Sequence, residues 1–218
     1  MTAAPCKVVA LISGRGSNLQ AIIDQAQAGK LNIDLCAVIS NCPQAQGLAR
    51  AETAGIATHA LDHAQFPNRR DFEATLEKTI DQYRPRLVLL AGFMRVLSPE
   101  FVRHYEGRMI NIHPSLLPSY PGLNTHARAL ENKETQHGAT VHFVTPEVDA
   151  GPLIIQRAVP VMPDDNPDTL AARVLETEHR IYPQAVAWFS EGRLTISNGK
   201  VLLDGQTRPE QGLIIDSN

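Results

Sequence analysis

The sequence predicts an α/β fold: a doubly wound, mostly parallel twisted sheet with an antiparallel C-terminal addition. Three observations carry this. Short apolar runs rich in β-branched residues alternate with helix-periodic segments through the first half. Two further strand-like runs in the second half lack a helix-length connection, which favours antiparallel pairing. No repeat, low-complexity tract or long linker interrupts the 218 residues, so one domain is expected over 1–218, with halves of about 1–105 and 106–218.

Residues 7–13 (KVVALIS) suit a strand buried on both faces. After the glycines of GRGSN, Leu19, Ile22, Ile23 and Ala26 repeat at i, i+3, i+4, i+7, and Gly29 stands where a helix-ending glycine belongs. Residues 34–40 form a second strand, 47–54 a short helix closed by Gly55, and 56–60 a third strand. Phe72, Leu76, Ile80 and Tyr83 mark a helix that ends before Pro85. Residues 87–91 are a doubly buried strand. Ser98, Pro99 and Glu100 read as N-cap, first-turn proline and first-turn acid, and 108–113 (RMINIH) as the next strand. The alternation implies right-handed crossovers.

Residues 138–144 and 153–161 are the two antiparallel strands, and 168–191 a long helix that Pro183 should kink or redirect. Asn198-Gly199 between 194–197 and 200–203 is a type I′ hairpin signal.

The 43% apolar and 20% charged content is that of a globular protein. A net charge of −3 offers no basic field for nucleic acid or a membrane surface. The longest apolar run, LVLLAGFM, is far below the ~20 residues of a spanning helix. MTAAPCKVV holds no apolar signal segment. Three cysteines, an odd number without CxxC, read as packed thiols in a reduced, cytoplasmic chain.

Ligands of open α/β sheets bind beyond the carboxyl ends of the strands, and three such ends carry unusual polar residues. Gly14-Arg15-Gly16-Ser17-Asn18 follows the first strand and opens a helix. Free backbone N–H groups and the helix dipole there suit one phosphate. The motif is neither GxGxxG nor Walker A; a plain βα turn capped by Ser17 or Asn18 remains the alternative. Asn111 and His113, at i and i+2 of a strand, face one side and could stabilise an oxyanion and move a proton. Asp149, in the irregular TPEVDAGP, could orient a neighbouring imidazole and favour its charged form; an exposed turn aspartate is the alternative. On the long helix, Glu178 falls on the face of Ala171, Val174, Leu175, Ile181, Tyr182 and Val186, and needs a partner or a ligand there. No HExxH or other clear carboxylate–histidine spacing indicates a metal. An amide, an imidazole and an acid suit acyl-type transfer between bound substrates without a covalent enzyme intermediate.

NIHPSLLPSYPGLNTHARAL, with LISGRGSNLQAI before it and VHFVTPEVDAGPLI after it, resembles the phosphoribosylglycinamide formyltransferases, the folate-dependent glycinamide ribonucleotide transformylases. LAGFMRVLS and ETEHRIYP agree, and the likeness runs from about 7 to about 212. The resemblance implies a Rossmann-like formyltransferase fold, a 10-formyltetrahydrofolate donor, a 5′-phosphoribosylglycinamide acceptor and no metal. It places catalysis on Asn111, His113 and Asp149, and acceptor binding on Gly16, Ser17, Asn18 and Glu178. It gives the folate Arg69, Met94, Arg95, Val96 and Leu97, together with Asn111, Thr145, Pro146, Glu147, Val148 and Asp149. Small-molecule substrates, no nucleic acid, no membrane and a monomer or homodimer are the expected partners.

Two relatives of that core are less favoured. Methionyl-tRNA formyltransferases usually add a basic C-terminal domain, and formyltetrahydrofolate deformylases an N-terminal regulatory one; the short flanks and acidic charge here speak against both. A non-catalytic sugar-phosphate binding module is a third reading. An NAD-linked oxidoreductase needs an acid after the second strand, where Asn41 stands.

Overall fold

The computed structural model describes residues 4–207 and 213–214. The chain divides into two compact units, Met1–Ile110 and Asn111–Asn218. Gly212, where the family likeness ends, lies outside the described residues.

The first unit alternates strand and helix: β1 (Cys6–Ile12), α1 (Ser17–Gln27), β2 (Ile33–Ser40), α2 (Gln46–Thr53), β3 (Ala57–Ala60), α3 (Arg69–Asp81), β4 (Leu87–Leu90) and α4 (Pro99–His104). Its strands run parallel in the order β4-β1-β2-β3. Helices cover both faces of such a sheet, so its central strands are apolar throughout; Val8 to Ile12 are all 0% exposed. α3 begins earlier than its apolar stripe because Asn68 caps it, Oδ1 accepting from Asp71 N–H at 3.0 Å. Ser98 caps α4 as its sequence signature implies, accepting from Phe101 N–H at 3.2 Å. A 3-10 turn at His63–Gln65 carries no apolar periodicity to announce it.

β5 (Met109–His113) passes from the first unit into the second. There follow α5 (Thr125–Glu131), β6 (Gln136–Phe143), β7 (Leu153–Pro160) and α6 (Pro167–Ser190). β6 and β7 are antiparallel. Gly138 is required between them, since a Cβ there would sit 2.1 Å from the Arg157 carbonyl oxygen. α6 opens on a capping box at Asn166 and runs as one helix through Pro183, without ending there. Its apolar face (Val174, Ile181, Tyr182, Ala185, Val186) is at most 1% exposed, and that burial outweighs the lost proline N–H. β8 (Leu194–Ser197), β9 (Lys200–Leu203) and β10 (Gln206–Thr207) make a separate meander. Asn198 and Gly199 both take positive φ, 51° and 73°, as a type I′ turn requires. β11 (Leu213–Ile214) pairs parallel with β7. No described helix is long and apolar enough to cross a membrane.

Candidate active site

The second unit holds two of the three polar strand ends. Strand alternation turns Asn111 and His113 to one side of β5. His113 is 6% exposed, yet both of its ring nitrogens are addressed. Nε2 lies 2.9 Å from the Tyr120 carbonyl oxygen, and Nδ1 lies 3.5 Å from Asp149 Oδ2. A carbonyl can only accept, so Nε2 carries a hydrogen. Tyr120 presents that carbonyl from a left-handed backbone, φ 56°, at a cost of roughly 1–2 kcal/mol. Its phenol offsets the strain by donating to Glu134 at 2.6 Å and accepting from Asn132 at 3.1 Å.

The loop after β5 is pinned from beneath by one hydroxyl. Thr140 Oγ1 donates to the Ser115 carbonyl at 2.6 Å and accepts from Leu117 N–H at 3.0 Å and Gln156 Nε2 at 2.8 Å. That uses its whole bonding capacity in a buried position. Thr125 Oγ1 adds a bond to the Pro114 carbonyl at 2.7 Å. The loop that carries His113's carbonyl partner is thus fixed to β6 and α5.

Asp149 arrives from the stretch between β6 and β7, itself at φ 55°. The chain must pass close to β6 at Gly151, where a Cβ would lie 1.8 Å from the Phe143 carbonyl oxygen. The Asp149 side chain is 10% exposed. Its Oδ2 accepts from Gly122 N–H at 2.8 Å, which orients the carboxylate toward His113. The 3.5 Å to Nδ1 is longer than a charge-assisted hydrogen bond of about 2.8 Å, so the contact leaves that nitrogen open to a second oxygen.

Sequence reasoning passed over His142. It is 2% exposed, its Nε2 lies 3.2 Å from Asn111 Nδ2, and Asp149 Oδ1 is 3.8 Å away. Desolvation pushes its pKa down, against the weaker upward pull of the Phe143 carbonyl and of Asp149. The signal was present: His142 is one more polar residue at a strand's carboxyl end, hidden inside an apolar run. A cleft of about 560 Å³ lies on the Asp149 side, bordered by Leu117, Pro118, Thr145, Asp149, Pro152 and Val201.

Glu178 lies on α6 at 7% exposure, among the apolar residues that singled it out. Thr145 bonds the Glu147 carbonyl at 3.1 Å, and Pro146, Glu147 and Val148 are exposed.

In the first unit the glycine turn has the features of an anion site. Gly16 takes φ 71°, and a Cβ on it would lie 2.7 Å from Gly47 Cα. Gly47 N–H bonds the Gly14 carbonyl at 3.0 Å, and Arg50 Nε bonds that of Arg15 at 2.8 Å. No side chain hydrogen-bonds as a cap at the α1 N-terminus, and its first turn holds no acid. Ser17 is half-buried and Asn18 9% exposed. Ser13 Oγ donates to Asn41 at 2.5 Å and accepts from Met94 N–H at 2.7 Å, tying the segment after β4 to the end of β1. Along that segment Met94 and Val96 are 68% and 63% exposed, whereas Leu97 is buried. Arg95 lies over the Phe72 ring. Arg69 pairs with Glu73 at 2.8 Å, and Glu73 also accepts from Ser98 N–H.

Spacing alone showed no carboxylate–histidine cluster, but folding makes one. Glu77, Asp81 and His104 bring ligand-type atoms within 4.8 Å of one another, with His104 paired to Asp81 at 2.8 Å. Helix spacing joins the first two and tertiary packing adds the third.

Comparison with known proteins identifies the family. The model of the formyl transferase family matches residues 6–186. The chain is 53% identical over 209 residues to phosphoribosylglycinamide formyltransferase of Escherichia coli K12, covering 96% of this chain and 99% of that protein. It is similar to the solved phosphoribosylglycinamide formyltransferase of Coxiella burnetii, with a TM-score of 0.93, 56% identity and coverage of 96% and 99%. A formyltetrahydrofolate deformylase from Pseudomonas putida KT2440 is also similar, with a TM-score of 0.83 and 29% identity over 93% of this chain and 72% of that one. The chain belongs to the formyl transferase family.

Proposed function

We propose that the protein transfers a formyl group from 10-formyltetrahydrofolate to the amine of 5′-phosphoribosylglycinamide, a step of purine biosynthesis. The observation that carries this reading is the approach of His113 to Asp149 at 3.5 Å, beside Asn111, in a family that moves formyl groups. The near full-length likeness to the Escherichia coli protein supports the choice of acceptor.

The donor supplies a carbonyl carbon for the acceptor amine to attack. The protein's part is to stabilise the charge that develops on the formyl oxygen and to move a proton. Asn111 Nδ2–H and the charged form of His113, through Nδ1–H, are the oxyanion donors. Asp149 balances the charge of His113 and accepts a proton from the amine directly or through water; the bond between the formyl carbon and N10 then breaks, and that proton passes to N10 as tetrahydrofolate leaves. Gly16, Ser17 and Asn18 bind the acceptor phosphate through the α1 N-terminus, and Glu178 binds the acceptor.

In the second unit, Asn111, Thr145, Pro146, Glu147, Val148 and Asp149 would hold the donor. In the first unit, Met94 and Val96 are 68% and 63% exposed, apolar surface that suits an aromatic ring system. The cleft of about 560 Å³ beside Asp149 falls within the usual range of ligand pockets, ~300–1,000 Å³.

The test is a spectrophotometric assay with formyl-folate, with and without glycinamide ribonucleotide. Folate product that depends on the acceptor is expected. Equal product without acceptor would overturn the proposal in favour of a deformylase, and ligand binding with no product in favour of a binding module.

A further inference from the structure

We infer that His142 is a positioning residue for this reaction: as the Nδ1–H tautomer it turns the Asn111 carboxamide so that an N–H, not the C=O, faces the reacting carbonyl oxygen. The inference rests on the formyl-transfer reading.

His142 Nδ1 lies 2.9 Å from the Phe143 carbonyl oxygen, which can only accept, so Nδ1 carries a hydrogen. The ring is 2% exposed, and burial holds it to the neutral form. A neutral imidazole has one N–H, so Nε2 presents a lone pair. That lone pair meets Asn111 Nδ2 at 3.2 Å. Were the amide reversed, its oxygen would face the lone pair, acceptor against acceptor. The contact therefore selects one of the two amide orientations, which are otherwise nearly isosteric. One Nδ2 hydrogen is then used on His142, and the amide plane fixes the direction of the other. Asp149 Oδ1, at 3.8 Å, lies beyond hydrogen-bond reach of Nε2 and does not require a donor there. Without His142 the amide could rotate and present an oxygen to the developing oxyanion.

Side-chain replacements separate the two ring nitrogens. His142→Gln places an acceptor near the Nε2 position. His142→Asn keeps a donor near Nδ1 but lacks that acceptor, and His142→Phe lacks both. His142→Asn and His142→Phe should lower kcat by ~10–100-fold, short of the loss of a whole oxyanion donor, with acceptor KM within about threefold of wild type. His142→Gln should recover most of the loss. In an Asn111→Ala background, His142→Asn should cost less than about twofold, because its target is gone. Losses that multiply, or no recovery with Gln, would overturn the inference.

The wild-type control in the same assay tests formyl transfer itself, so the two failures are distinct. Nitrogen-15 NMR of the wild-type protein reads the tautomer without any turnover or variant. A pyridine-like Nε2 and pyrrole-like Nδ1 are expected; an Nε2–H tautomer or a doubly protonated His142 would refute the proposal.

Discussion

Asp149 approaches His113 through the same oxygen that accepts the Gly122 N–H: Oδ2 lies 3.5 Å from Nδ1 and 2.8 Å from the amide nitrogen. The backbone bond thus aims a carboxylate whose partner is the imidazole, and the shape of the site depends less on the charge than on Gly122.

Asp149→Asn should therefore leave the loop in place while removing the counter-charge. An Asn oxygen can still accept from Gly122. We expect kcat to fall by ~10²–10³-fold, the scale of losing one group that stabilises the transition state, with a near-native melting temperature. His113→Ala should fall at least as far. Steady-state kinetics beside circular dichroism decides this, and wild-type turnover in either variant would remove both residues from the mechanism.

The folded protein should lose stability as pH falls below about 6.5. His137 is 1% exposed. Burial, then the nearby His126, lower its pKa from 6.5 to about 4, against a hydrogen bond to the Pro114 carbonyl. Between those values the unfolded chain takes up a proton that the folded chain refuses, so stability rises with pH. The span is worth about 3 kcal/mol from this group. His126 and His142 are shifted the same way by burial and add to the slope. Urea unfolding from pH 7 to pH 4.5 should show the decline, and His137→Gln should flatten it. A stability independent of pH across that window would contradict the buried neutral imidazole.

Residues whose role is local were legible before the fold was known. Asn111 and His113 share a face because strand side chains alternate, Ser98-Pro99 starts α4, and Asn198-Gly199 turns the hairpin. Asp149 stood out as a carboxylate in an irregular stretch between two strands, and Glu178 by breaking an apolar helix face. What stayed hidden depends on packing distant in sequence. His142 sits within an apolar strand, and only the fold brings Asn111 to its Nε2. The Tyr120 carbonyl is a backbone group that no side-chain pattern can mark. α5 was missed because its seven residues are too few for a clear stripe, and α3 starts at a polar cap rather than at its first apolar residue.

Gly151 offers a test of how tightly the Asp149 segment is held. An added Cβ would overlap the Phe143 carbonyl oxygen, a backbone atom that cannot swing away. Gly151→Ala should cost ~1–3 kcal/mol, as overpacking does, and should displace Asp149. Because both effects share one cause, kcat should fall further than stability implies. A variant that melts like wild type with full kcat would show that the chain has room the structure denies it.

Gly16 tests the proposed binding of the acceptor's phosphate. Its φ of 71° and the 2.7 Å approach of a built Cβ to Gly47 Cα exclude a side chain on two independent grounds. Gly16→Ala must displace the start of α1 or the Gly47 backbone, and left-handed strain alone costs roughly 1–2 kcal/mol. The α1 N-terminus, which lacks a side-chain cap, would then point its N–H groups away from the anion. Since this binding is alike in ground and transition states, KM for glycinamide ribonucleotide should rise tenfold or more, on the order of the strain energy, while kcat at saturation changes little. KM for the folate donor should stay put. If instead kcat falls and acceptor KM does not move, the turn only shapes the fold, and the phosphate is held elsewhere.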